Sequence, residues 1–224
     1  MLKNFRNRVL AQFVLLALVG CPLTLHATLT CTNTIALGAG GFVLDSQITS
    51  RTTCVQAGDK LFGAFNFGNL PPGGLLSFSS NSTLNRASIT FTALFSAGVT
   101  YNFGYQVEIF NSPNVITEVA GDVIQTAGTS SLLMTLTPTG TGAINFSKTG
   151  NVVNGPSVVS YTKAQGVTDL TVVAESFTKG TTSDSSAVLN TISQTPVPEP
   201  TALLLLSSGM LGLVSFRCRR FLKK

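Results

Sequence analysis

Val99-Thr100-Tyr101-Asn102-Phe103-Gly104-Tyr105-Gln106-Val107-Glu108-Ile109-Phe110 alternates apolar and polar side chains along its length. Val99, Tyr101, Phe103, Tyr105, Val107 and Ile109 fall on one side; Thr100, Asn102, Gly104, Gln106 and Glu108 fall on the other. A period of two buries one face of an extended strand and wets the other. Ser88 to Phe95 repeats the pattern, with Ile89, Phe91, Ala93 and Phe95 together. Leu61, Gly63, Phe65 and Phe67 make a third such face. Strand-like runs also cover 48–55, 75–79, 115–119, 131–137, 143–147, 158–162, 169–177 and 187–192. Gly, Pro, Asn and Ser clusters at 71–74, 111–114, 138–142 and 154–156 separate them as turns. No segment holds a 3.6-residue period. Short strands with no helix between them predict an all-β body, an antiparallel β-sandwich or jelly-roll-like domain.

The predicted body spans 28–195 and is large enough to bury about 70% of its chain surface as one domain. Within it, Thr181 to Ser186 reads as a hairpin loop before a last strand at 187–192. Gly38-Ala39-Gly40-Gly41 reads as a turn, since it lacks the Lys-Ser/Thr of a phosphate loop.

Both ends of the 224-residue chain differ from this body. Residues 1–27 carry basic Lys3, Arg6 and Arg8, an apolar stretch from Val9 to Val19, and then small residues. That is the form of a secretory signal helix handled by the Sec machinery. Signal peptidase cutting after Ala27 is the favoured reading, because polar, β-prone Thr28, Thr30 and Thr32 follow at once. The alternative is Leu18-Val19-Gly20-Cys21 as a lipobox, with Cys21 lipidated. At the other end, a proline-rich spacer precedes an apolar run at 201–216 and a basic tail at 217–224 containing Arg217, Arg219 and Arg220. Sixteen residues at 1.5 Å rise span about 24 Å, close to a ~30 Å hydrocarbon core if the terminal cations snorkel. The arrangement predicts one C-terminal transmembrane helix, an outside body and a cytoplasmic stop.

Val197-Pro198-Glu199-Pro200, the apolar run after it and the arginine cluster at its end resemble a PEP-CTERM protein-sorting signal over residues 196–224. The resemblance implies an exported bacterial protein, membrane-anchored as a precursor and then processed by an exosortase, a membrane cysteine transpeptidase. Pro198, Glu199 and Pro200 would be the recognised motif. The family occurs in bacteria that make exopolysaccharide, which makes that polymer the implied partner and the cell surface or extracellular matrix the implied destination. Proteins described as ice-binding carry the same tail, but the tail itself has no ice-binding chemistry. The likeness extends loosely into the body: Cys54 to Phe62, Tyr101 to Ile109 and Ile192 to Pro196 are similar to segments of such proteins, and none carries an assigned activity.

The formal charge of +5 dissolves once the charges are located. Eight of the fourteen Lys and Arg lie in the two ends, which leaves six against eight acids in the body, or 6 − 8 = −2. Nucleic acid needs clustered cations, so that partner is excluded. Cys21 falls in the signal and Cys218 in the cytoplasmic tail. Cys31 and Cys54 remain in an oxidising compartment and are expected to form a disulfide. Enzyme chemistry has little material. The sole histidine, His26, is lost with the signal, no base remains for a nucleophilic triad, and two cysteines make no zinc site. Glu108 and Glu118 are a formal pair for glycoside hydrolysis, but eight scattered acids on a β domain are expected to be solvated surface groups. The reading is a non-enzyme without cofactor or metal, structural or adhesive outside the cell. The alternative is an unprocessed, membrane-anchored or lipidated binding module. Two contact surfaces suggest themselves: the aromatic strand at 101–105 for sugars, against which stands a core position for those rings, and Thr135, Thr137, Thr139 and Thr141 for ice or another flat surface.

Overall fold

A computed structural model of the chain describes residues 29–140 and 142–197. The segments expected to form a signal helix and a transmembrane helix, with Cys21, Ala27, Pro198, Glu199, Pro200, Arg217, Arg219 and Arg220, lie outside the described residues. Among the described residues no helix is long and apolar enough to cross a membrane.

The described body is all-β. Its strands are Asn33–Ala36 (β1), Gly40–Leu44 (β2), Thr53–Ala57 (β3), Lys60–Asn66 (β4), Leu75–Asn81 (β5), Arg86–Thr92 (β6) and Thr100–Ile109 (β7). Asn114–Ile124 (β8), Thr129–Thr137 (β9), Ile144–Thr149 (β10), Val152–Asn154 (β11), Val158–Ser160 (β12), Asp169–Lys179 (β13) and Ala187–Pro196 (β14) follow. Among the described residues they form one sheet in the order β1-β3-β4-β7-β13-β9-β10-β11 and another in the order β12-β8-β14-β6-β5-β2. The two sheets share one core. Phe103 on β7 meets Phe91 on β6 with ring centroids 4.4 Å apart, and Phe62 on β4 meets Phe78 on β5 at 5.2 Å. Such tilted aromatic pairs add to the free energy of area burial. Tyr101, Phe103, Tyr105, Val107 and Ile109 all face this interior, as the alternation of β7 requires.

Several local expectations change. The pairing of β1 with β3 is parallel, so the body is not wholly antiparallel. β1, β2 and β11 occupy stretches with no strand reading, and Gly40-Gly41 opens β2 instead of sitting in a turn. β6 stops at Thr92; Leu94 then stands 93% exposed while Phe95 turns back into the core. On β4 the core face is not the set Leu61, Gly63, Phe65, Phe67. A register shift between Gly63 and Asn66, with Ala64 at φ 50°, inserts a bulge that turns both Phe62 and Phe65 inward. The loop 181–186 joins strands of different sheets and so is a crossover, not a hairpin.

Cys31 and Cys54 are bonded, S–S 1.99 Å. The bridge lies on the outward side of β3 and β4, above Gly63, where a Cβ would come within 2.8 Å of Cys54 Sγ and 3.0 Å of Leu29 Cδ2. A glycine is therefore what lets the N-terminal segment lie flat on the sheet. Closing a loop of 23 residues' separation stabilises by about 3 kcal/mol on the chain-entropy estimate.

Candidate functional site

Two regions of the body bear on function: the root of the sorting tail and the outer face of the larger sheet. β14 does not end at Ile192 but continues to Pro196, paired with Asn114 on β8. Val197 N–H then donates to Pro113 O at 3.1 Å. A polar clamp holds this root. Asp59 Oδ2 accepts from Gln194 Nε2 at 2.6 Å and from Asn114 Nδ2 at 3.2 Å, and Asp59 Oδ1 pairs with Lys60 Nζ at 2.6 Å. Burial works to raise the Asp59 pKa, but the hydrogen bonds from Lys60 and Gln194 outweigh it and the group ends below its ordinary value. Burial also draws the Lys60 ammonium below its usual range against the pull of Asp59. Pro198, the first residue of the Pro-Glu-Pro tripeptide, follows this clamped strand in sequence with only Val197 between.

The outer face of the larger sheet is mostly polar across β7, β13, β9 and β10, with Leu133 as an exposed apolar member and the charge of Glu108 at the far end of β7. Thr100 and Asn102 on β7 register with Thr178 and Ser176 on β13, which register with Ser131 and Leu133 on β9; those in turn face Ser147 and Asn145 on β10. Thr100 Oγ1 lies 2.8 Å from Thr178 Oγ1, and Thr129 Oγ1 lies 3.2 Å from Thr149 Oγ1. Hydroxyl and amide groups thus repeat at roughly 4.8 Å across strands and about 6.8 Å along them. At one end of this face, Thr129, Ser131, Thr178, Gly180, Thr181 and Thr182 line a shallow hollow of about 440 Å³.

The aromatic strand takes no part in this surface, because Tyr101, Phe103 and Tyr105 are interior. Thr135 and Thr137 are exposed on β9, but the chain turns at Pro138; Thr139 is exposed beyond the turn and Thr141 lies outside the described residues. Glu108 and Glu118 sit in different sheets, on outward sides that face apart. Glu108 accepts from Leu29 N–H at 3.0 Å and Glu118 from Ser193 Oγ at 3.3 Å, so the structure does not bring the pair together. Among the described residues no group of three His, Cys, Asp or Glu gathers as a metal site.

One acid is not a surface group at all. Glu175 is fully buried between the sheets, with Oε2 accepting from Asn190 Nδ2 at 2.7 Å and Oε1 without a partner. Burial pushes its pKa up to about 8, with Asn190 pulling the other way. Tyr105, equally buried, is raised well above its ordinary value by burial and by Glu175. The sequence hides this cluster because a bulge between Val172 and Glu175 reverses the facing of β13 midway.

No curated protein matches the chain significantly. Residues 196–220 match the family described as the PEP-CTERM protein-sorting motif, which starts at the last residue of β14. The chain thus carries a PEP-CTERM protein-sorting motif, which implies an exported protein of the cell envelope or surface with an exosortase as its processing partner.

Proposed function

We propose that this chain is a non-enzymatic protein of the cell surface or extracellular matrix, delivered by the Sec machinery and released from its membrane anchor by an exosortase. Its parts are a signal peptide over 1–27, an exported two-sheet sandwich over 28–195 and a sorting tail over 196–224. The observation that carries the reading is the sorting motif at 196–220, abutting the last strand of the body. Mass spectrometry of the mature protein from its native cells, with and without the exosortase, tests it. The expected result is a chain beginning at Thr28 and lacking the residues beyond the Pro198-Glu199-Pro200 region only when the enzyme is present. An intact terminus at Lys224 in both strains overturns it in favour of a plain anchor, and a lipid-bearing Cys21 in favour of a lipoprotein.

The role of the body is adhesion to, or incorporation into, exopolysaccharide. Supporting this is the uncharged hydroxyl and amide face of the larger sheet, whose groups can exchange hydrogen bonds with a neutral sugar polymer without desolvating a charge. The full chain is expected to bind matrix polysaccharide, and Ser131→Lys or Ser147→Lys, made singly because the two positions are cross-strand partners, to weaken that binding about tenfold with little change in melting temperature. Binding that ignores both substitutions excludes this face; no binding on any matrix polysaccharide excludes the role.

A further inference from the structure

We propose that, before processing, the rim of the body around the root of β14 docks on the headgroup layer of the membrane that holds its own tail. The inference rests on the reading of 201–216 as the membrane-embedded segment. Val197 is still hydrogen-bonded to the body, and the apolar run begins at Thr201, four residues on. Four residues reach about 14 Å at full extension and about 12 Å as polyproline. The headgroup layer occupies roughly 5–7 Å of that distance on each side of the bilayer. The tether therefore leaves little water between the rim and the lipid.

The rim presents what such a surface takes. Asn85 O accepts from Gln194 N–H at 2.9 Å, which sets the β5–β6 turn beside the root, and Leu84 on that turn is 61% exposed. Phe110 opens the β7–β8 loop on the other flank, its N–H donating to Asp59 O at 2.8 Å, and its side chain is 40% exposed. Two exposed apolar side chains on the turns that flank the tail exit suit insertion among headgroups. Charges nearby are mixed, with Asp59 and Glu118 against Lys60 and Arg86, so docking is driven by apolar contact and survives salt. Docking also holds Pro198-Glu199-Pro200 at the membrane face, within reach of a membrane-embedded enzyme.

The test uses the unprocessed chain from Thr28 through Lys224, with Cys218→Ser, in phosphatidylcholine vesicles. An environment-sensitive dye is placed by Leu84→Cys, by Phe110→Cys, or at the opposite end of the body by Leu94→Cys. Flotation with the vesicles first reads the anchor. In the floated chain, headgroup spin-labelled lipid is expected to quench the dye at 84 and 110 severalfold more than at 94, in low and high salt alike. Equal, weak quenching at all three sites overturns docking while the anchor stands. A chain that does not float overturns the anchor reading, and docking with it.

Discussion

Between pH 5 and pH 8.5 the folded body loses stability on the order of 4 kcal/mol, and Glu175→Gln abolishes most of that loss. The group responsible is a fully buried carboxyl with one side-chain donor, Asn190, which reaches only Oε2. Ionisation there leaves a poorly compensated charge in the core, so the folded state prefers the neutral acid and its pKa stands near 8 against an ordinary 4.5. Because the folded pKa is the higher one, the folded state holds more protons than the unfolded state between those values. Stability is therefore full below about pH 4.5 and falls as pH rises through 8. At 1.36 kcal/mol per unit, about 3.5 units give the stated magnitude, or roughly 10 °C in melting temperature for a body of this size. No imidazole of the body blurs the window, since the sequence from residue 28 onward contains no histidine. On the acid side the sign reverses. Thr126 and Ala127 donate to Asp184 and hold it at about 2, so its contribution fades only as pH falls through that range. Chemical unfolding at a series of pH values reads both limbs. A flat profile from 5 to 8.5, or the same slope in Glu175→Gln, would show that the buried acid does not govern it.

Phe103→Ala lowers stability by roughly 3–5 kcal/mol, enough to unfold much of the population near physiological temperature. The ring is 3% exposed and meets Phe91 of the opposite sheet at 4.4 Å, while Phe91 in turn lies 5.9 Å from Tyr105. Truncation therefore opens a void where the two sheets touch, and neither sheet can close it without shifting against the other. Leu133→Ala on the outer face of β9, where the side chain is 46% exposed, is the contrast and is expected to cost well under 1 kcal/mol. Phe91→Leu and Phe103→Leu combined should show a coupling of about 0.5–1.5 kcal/mol beyond the sum of the single changes. Denaturant midpoints decide it. A Phe103→Ala variant within 1 kcal/mol of the parent would mean that the sheets do not depend on this contact.

The sequence showed where strands run best where their alternation is unbroken. β7 needs only its own period to place Tyr101, Phe103 and Tyr105 inside, and β9 does the same for Leu132, Met134 and Leu136. Bulges defeated that logic. One extra residue at Ala64 turned the face of β4, and another in β13 carried Glu175 from an apparent surface position into the core. Short edge strands such as β1 and β11 carry too few residues to show a period, and β1 takes its partner in parallel, which no local pattern announces. The sorting motif was legible because it depends on order along the chain: tripeptide, apolar run, basic end. The polar outer face was not, since it is assembled by register across four strands, of which only β9 and β10 are neighbours in sequence.

The position of β14 has a consequence for timing. It is the last strand made, yet it lies inside its sheet, between β8 and β6. Without it that sheet falls into two pieces, β12-β8 and β6-β5-β2, and Val188 and Ile192 are missing from the core. A chain threaded outward from its N-terminus therefore cannot finish folding until residue 196 has crossed. On the proposed reading of 201–216 as the membrane-embedded segment, that run has by then entered the export channel. On that reading, completion of the body and arrest of the tail are one event, and an exosortase meets only a substrate whose body is whole.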